Sequence, residues 1–209
     1  MLAHVDRLAN VEDLPPAGRM YGANVGCLEG GGPGRARQGM KHMPRIREFR
    51  DADLAAMLAI VNDAAQAYRG VIPADRWRDP YMPRDELARE IADGIRFWVA
   101  EEDGRLLGMM GTQDKGEVTL IRHAYVAPTE QKKGVGTRLL RHLEGLTSKP
   151  VLIGTWAAAS WAIEFYRRNG FAVVPDKDKD ALLRKYWSVP ARQRETSVVL
   201  ADPRWRRAP

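Results

Sequence analysis

One cysteine, Cys27, is all the thiol chemistry this 209-residue chain carries. A lone thiol closes no internal disulfide and builds no thiolate metal site, so the expected compartment is a reducing one, the cytoplasm. Long apolar runs are also missing. The stretch from Leu54 to Val61 is closed off by Asn62 and Asp63, far short of the ~18 to 20 apolar residues that span a bilayer, and a soluble protein without a membrane partner is expected. No continuous apolar core follows a basic start, which argues against a secretory signal. Neither a G-x-G-x-x-G fingerprint nor a Gly-Lys-Ser/Thr ending occurs, which excludes the usual dinucleotide and nucleotide phosphate loops. No internal repeat is visible.

What is present suits one globular domain with tails: 44% of residues are apolar and 29% are charged. The 33 Lys and Arg against 27 Asp and Glu give a net charge of +6, a field that favours anionic ligands. A solvated, Arg-rich surface accounts for that charge equally well. A nucleic-acid partner ranks last, because no base-reading aromatics accompany the basic residues. Residues 1–43 hold 8 of the 19 glycines and show neither helical nor strand periodicity. The segment buries too little to offset its ordering entropy and is expected to be a flexible leader outside the fold. The domain is expected over 44–202 and a basic tail, with Arg204, Arg206 and Arg207, over 203–209.

From Arg45 the sequence becomes periodic. Ile46 and Phe49 predict a strand, and Asp51 to Ala67 a helix capped by Asp51 or Asp53, with Leu54, Met57, Leu58 and Val61 inward. A second helix is expected over Arg84 to Asp93. Phe97–Glu102 and Arg105–Thr112 around Asp103-Gly104 predict a hairpin. A long strand follows, Glu117 to Val126, with Val118, Leu120, Arg122, Ala124 and Val126 on one face and Thr119, Ile121, His123 and Tyr125 on the other. Then come a helix Thr137–Leu146, a buried strand Val151–Thr155, a helix Ala158–Arg168 stopped by Asn169-Gly170, and a strand Phe171–Val174. A solvated loop Asp176–Asp180, a helical patch Leu182–Trp187 and a strand Glu195–Ala201 close the domain.

The junction from Tyr125 to Thr137 carries the chemistry. A strand that yields through a tight turn to a helix N-terminus directs several backbone N–H groups at one spot, and the helix dipole favours negative charge there. That is a pyrophosphate cradle. Gly134 and Gly136 permit positive φ and close approach of phosphate, and Lys132, Lys133 and Arg138 add charge. The order Val126-x-Pro128, then Gln131-x-x-Gly134-x-Gly136, resembles the GNAT superfamily of acyl-CoA N-acyltransferases, whose loop reads Arg or Gln, two residues, Gly, one residue, Gly or Ala. A later segment, Ala162-Ile163-Glu164-Phe165-Tyr166-Arg167-Arg168-Asn169-Gly170-Phe171, matches the family's helix as well. The resemblance covers about residues 44 to 202.

It implies an α/β (α+β) fold with a central, mostly antiparallel twisted sheet of about seven strands flanked by helices, splayed between the fourth and fifth strands. By the same resemblance the main chain of Tyr125 and Val126 pairs with pantetheine, and the amides of Gln131, Lys132, Lys133, Gly134, Val135, Gly136 and Thr137 hold the pyrophosphate of acetyl-CoA, with no metal. Tyr166 matches the tyrosine that protonates the departing thiolate in many members; its other reading is a core aromatic packed with Phe165 and Phe171. His123 reads either as a base, directly or through water, or as a core or pairing histidine. Glu117, Glu101 and Glu102 end strands, where they face either a cleft or solvent. Trp77, Tyr81 and Trp156 are candidates for the acceptor pocket. Two departures stand out: the family often has Gly at Lys132 and Asn at Ala159. The expected reaction is direct acetyl transfer to a primary amine of a small molecule or peptide, with a homodimer left open; the alternative is a non-catalytic acyl-CoA-binding module.

Overall fold

The computed structural model describes residues 43–187 and 189–205. Of the flexible leader expected over 1–43, residues 1–42 lie outside the described residues. The elements are β1 Arg45–Glu48, α1 Leu54–Ala65, α2 Arg84–Ala92, β2 Arg96–Glu102, β3 Arg105–Asp114, β4 Thr119–Val126, α3 Val135–Glu144, β5 Val151–Trp156, α4 Ser160–Arg168, β6 Ala172–Val173, α5 Asp176–Tyr186, α6 Ala191–Glu195 and β7 Ser197–Ala201. The described strands form one seven-stranded sheet in the order β1-β2-β3-β4-β5-β7-β6. Every neighbouring pair is antiparallel except β4 with β5.

Alternation along the strands divides the core between the two faces of the sheet. Phe97 and Val99 pack with Met57, Val61 and Leu87 from α1 and α2. Trp98 and Ala100 pack with Leu139, Leu140 and Leu143 of α3 and Tyr166 of α4. A third cluster gathers Leu183 and Trp187 against Leu152 and Val199. Asn62, which ends the apolar run in α1, clamps the following loop: its amide oxygen accepts from the Met82 N–H at 2.8 Å and its Nδ2 donates to the Met82 carbonyl at 3.0 Å. Neither Asp51 nor Asp53 caps α1 in the expected way. The Asp53 carboxylate accepts from the Arg50 amide at 2.8 Å and from the Arg47 guanidinium at 2.6 and 2.9 Å, fastening β1 to the start of α1.

Three local expectations are corrected. Asp176–Asp180 is the first half of α5 and no loop. Its charges obscured an N-terminus in which Asp176 and Asp178 favourably face the helix dipole. The last strand begins at Ser197, because Ala191–Glu195 forms a short helix after Pro190. The packing also continues past Asp202: Trp205 joins the third cluster, and Arg204 donates to the Thr147 carbonyl at 2.6 Å.

The position of α5 is open to a direct check. Ala181 is exposed and lies in mid-helix, so Ala181→Pro is expected to cost about 3 kcal/mol by removing a helical hydrogen bond and clashing with the preceding turn. Urea denaturation measures this; a near-neutral substitution would place the helix start at Leu182.

Candidate active site

The long strand β4 does not keep its parity. Met109 of β3 faces Tyr125, but Gly111 faces Arg122, so two β4 residues, His123 and Ala124, oppose Met110 alone. His123 sits at φ +49°, the left-handed conformation of a bulge residue. One extra residue exchanges the faces beyond it. Ile121 and Ala124 therefore share one cluster while Tyr125 crosses to the other, contrary to the expected grouping of Ile121, His123 and Tyr125. Pairing of β4 with β5 also ends here, running only from Thr119–Val151 to Ile121–Ile153. Beyond it the strands part.

Ala127 donates its N–H to the Leu107 carbonyl at 2.9 Å. By the alternation of an antiparallel ladder, the main chain of Val126 then faces away from β3, into the gap, while that of Tyr125 faces β3. The Gln131 side chain reaches the Val126 carbonyl at 3.3 Å and braces the turn. Lys132 adopts φ +62° and Gly134 φ +86° before α3 begins. The positive φ at Lys132 gives a physical reason for the glycine common there in the family. Among the described residues, the first α3 amide to find a backbone carbonyl is that of Arg138, on Gly134. The amides from Lys132 to Thr137, Val135 among them, are left to converge at the helix N-terminus. Gly136 serves differently from expectation. Its φ is ordinary, but a Cβ there would stand 3.3 Å from the Phe165 ring, so it admits close packing of α3 on α4. Lys133 is paired with Glu130 at 3.1 Å, and Arg105 holds the same carboxylate at 2.9 Å. Its charge is thus partly engaged, although the exposed Lys133 end keeps the pair weak.

Tyr166 is fully buried and packs edge-on against Phe165 and Phe171, at 5.0 and 5.9 Å. Burial pushes its phenol well above the usual tyrosine range, so it stays protonated. It belongs to a larger group of hydroxyls. Tyr125 is hydrogen-bonded to Tyr81, and its pKa is raised by burial and then by the nearness of Tyr81, Tyr68 and Tyr166. Tyr68 is raised in the same way and is hydrogen-bonded to Thr155. The rings of Tyr68 and Tyr81 stack at 5.9 Å, and Trp77 lies 5.5 Å from Tyr81. Tyr125 on β4 and Thr155 on β5 both lie beyond the last paired residues, so this cluster stands where the strands diverge.

His123 is buried and hydrogen-bonded. Its Nε2 lies 2.9 Å from Glu90 of α2, which also takes Arg122 at 3.1 Å, and all three are buried. A carboxylate only accepts, so Nε2 carries the proton and the Nδ1 lone pair is the basic one in the neutral ring. Burial, opposed by Glu90, lowers the imidazole pKa below its ordinary 6.5. Of the strand-end carboxylates, Glu117 is held low by Lys185 at 2.6 Å and by the Tyr186 hydroxyl, and Glu101 is paired with Arg47. Sequence reasoning missed Glu90, Tyr68 and Thr155. Tyr68 continues the stripe of Met57, Val61 and Ala64 by a further helical step and was accessible to a periodicity argument. Glu90 reads as a solvated helix charge until the fold turns it inward.

Residues 93–173 match the family model described as "Acetyltransferase (GNAT) domain". The peptidyl-lysine N-acetyltransferase YiaC of Escherichia coli (strain K12) is 28% identical over 131 residues, which is 62% of this chain and 84% of that protein. Among solved structures, the PaiA N-acetyltransferase of Thermoplasma acidophilum in complex with coenzyme A superposes with a TM-score of 0.59 at 19% identity, covering 76% of this chain and 98% of that one. The ribosomal-protein-S18-alanine N-acetyltransferase of Escherichia coli gives 0.55 at 20% identity, covering 78% and 94%. The superpositions show that this chain shares the fold of these solved acetyltransferases, and its residues 93–173 carry the match to a GNAT acetyltransferase domain. Among the described residues, no helix is long and apolar enough to cross a membrane.

The buried histidine generates a pH dependence of stability. The unfolded chain takes up a proton near pH 6.5 while folded His123 resists it, so stability is complete above that pH and declines as pH falls through the window below it. His123→Gln is expected to flatten that part of the curve of urea midpoint against pH; an unchanged slope would mean that His123 is protonated in the folded protein.

Proposed function

We propose that this chain transfers an acetyl group from acetyl-CoA to a primary amine by direct attack within a ternary complex. The observation that carries the reading is the convergence of two features at the parted end of β4 and β5: the amide-lined turn from Lys132 to Thr137 and the buried Tyr166 hydroxyl. The amides from Lys132 to Thr137 suit a pyrophosphate, whereas that of Gln131 is turned to the Pro128 carbonyl at 3.5 Å, and the outward main chain of Val126 suits the amide groups of pantetheine. Tyr125, which faces β3 with its backbone, contributes its hydroxyl to the cluster. A resident metal forms no part of the scheme.

The chemistry asks for three things of this chain. The attacking amine must lose a proton; His123, oriented by Glu90 and neutral through the physiological range, is the candidate base, directly or through water. The tetrahedral oxygen needs a donor, and the Val126 N–H, which faces away from β3, is the candidate. As the intermediate collapses, the carbon–sulfur bond breaks and the sulfur takes a proton from Tyr166. The phenol is then restored from the hydroxyl cluster or solvent, so that one proton leaves the amine and one arrives at sulfur. A covalent route through cysteine is disfavoured, since Cys27, the one thiol, falls in the segment preceding Met43.

Removing only the Tyr166 hydroxyl tests this assignment. Tyr166→Phe is expected to lower kcat for CoA release by about 10²- to 10⁴-fold with KM for acetyl-CoA little changed. Unaltered kcat would return Tyr166 to its reading as a core aromatic. CoA binding without product across a broad amine panel, with no difference between the two forms, would favour the acyl-CoA-binding module instead.

A further inference from the structure

A closed circuit of polar contacts joins α2 to β3 and β4. The Asp93 carbonyl, just past the end of α2, accepts from Gln113 Nε2 of β3 at 3.3 Å, and Gln113 Oε1 accepts from the Arg122 guanidinium of β4 at 2.8 Å. That guanidinium also donates to Glu90 Oε2 at 3.1 Å, one turn back along α2, which closes the ring. The same carboxylate oxygen takes His123 Nε2 at 2.9 Å. Arg122, Glu90 and His123 are 3%, 7% and 1% exposed, so their charges act on one another with little screening. Around the imidazole, β2 presents the Phe97 ring at 5.8 Å and α1 turns the apolar Met57, Ile60 and Val61 to the sheet.

Packing alone does not call for a guanidinium in this apolar stretch of β4, because apolar side chains of similar volume fill such places at equal or lower cost. Its consequence is electrostatic. With Arg122 in place one cation balances one anion, Glu90 stays ionised, and a neutral imidazole adds no charge. A carboxylate only accepts, so the imidazole proton is held on Nε2. Without Arg122 a single anion would be left buried, and the Glu90–His123 pair would take up a further proton to remove it. That proton appears on Nδ1 whichever partner receives it: either the imidazole becomes doubly protonated beside the carboxylate, or Glu90 becomes an acid that donates to Nε2 and the ring keeps its own proton on Nδ1. The charged groups that face the ring among the described residues act in this sense: burial opposes the imidazolium most, Glu90 favours it, and Arg122 opposes it.

We propose that Arg122 is a positioning residue for the reaction: bound to the oxygen that holds His123, it keeps Glu90 ionised, fixes the imidazole proton on Nε2 and leaves Nδ1 as the basic nitrogen. Arg122 touches neither substrate nor cofactor in this scheme and acts through Glu90. The proposal rests on the acetyl-transfer reading, in which His123 is the candidate base, and deepens it by naming what keeps that base unprotonated. Gln113 is the anchor that holds the guanidinium from its other side.

Nitrogen-15 NMR of the histidine rings in the full chain, followed against pH and with the His123 signals assigned by their loss in His123→Gln, reads the proton directly and needs no acceptor. The intact chain is expected to show Nε2 protonated and Nδ1 bare at neutral pH. Arg122→Met should place a proton on Nδ1 and raise the midpoint at which it leaves by about one pH unit or more. Arg122→Lys, which keeps the charge, should restore the intact pattern, and Glu90→Gln, which leaves the cation uncompensated, should move the midpoint the opposite way. Gln113 is half-buried, so Gln113→Glu, which offers the guanidinium a rival carboxylate, carries the test if Arg122→Met does not fold; it too should raise the midpoint. The acid limb of kcat/KM for acetyl transfer is expected to follow the midpoint in each variant, a displacement that lost packing alone does not produce. A midpoint unmoved by both Arg122→Met and Gln113→Glu, or moved the same way by Glu90→Gln, overturns the proposal, and so does an acid limb that stays in place while the midpoint moves. Failure of the intact chain to bind acetyl-CoA or to turn over sinks the acetyl-transfer reading, and the positioning role with it, while the NMR arm still decides whether Arg122 sets the imidazole proton.

Discussion

Everything distinctive in this molecule depends on one residue too many in β4. At His123 the strand bulges, and from that point its side chains change faces and its pairing with β5 stops. Without the bulge, Tyr125 would lie on the α3 and α4 side with Ile121, and the four phenols would not meet. Holding a non-glycine residue at φ +49° costs on the order of 1 kcal/mol. The bulge is held in place locally, since His123 and its neighbour Arg122 both bind Glu90 from the facing helix. A buried ion pair of this kind is weak evidence of net stability, because desolvation opposes the attraction. Its better-supported consequence is specificity of arrangement: α2 is docked by Glu90 at the point where β4 departs from regular geometry.

The same departure organises the chemistry. Parting two central strands exposes main-chain groups that a sheet normally satisfies, and the adjoining turn adds the unpaired amides of a helix start. Such groups are stable only against water or a ligand rich in acceptors, and a chain of net charge +6 favours an anionic one. Gly134 supplies the left-handed residue the turn requires, with open space around it, whereas Gly136 is small because Phe165 approaches it. Two glycines of one motif thus answer to different physical demands.

Much of this was legible in the sequence, and the limits of that legibility have physical causes. The hairpin at Asp103-Gly104 and the glycine turn follow from short-range signals and appear where expected, and the helices expected over Thr137–Leu146 and Ala158–Arg168 form at Val135–Glu144 and Ser160–Arg168. The faces of β4 did not, since period-two alternation cannot register an inserted residue that carries no glycine or proline to mark it. Asp176–Asp180 looked like a solvated loop because a charged first turn and a charged loop have the same composition; only the tertiary contact of Leu182 and Leu183 with the sheet distinguishes them. At the site, Tyr166 and the glycine turn were found through motifs. Glu90, Tyr68 and Thr155 were not, since their roles exist only once α1, α2 and β5 are brought to β4.

The central claim is that the parted end of β4 and β5 with its amide turn is a cofactor cleft. Titrating acetyl-CoA calorimetrically into the intact chain and into Lys132→Glu tests it most directly, because position 132 already carries a side chain at φ +62° and the exchange sets a negative charge in the turn proposed to hold the pyrophosphate. The account predicts saturable binding by the intact chain and a loss of tenfold or more in a folded variant, about 1.4 kcal/mol. Equal affinity in both, or no binding by the intact chain, would contradict it.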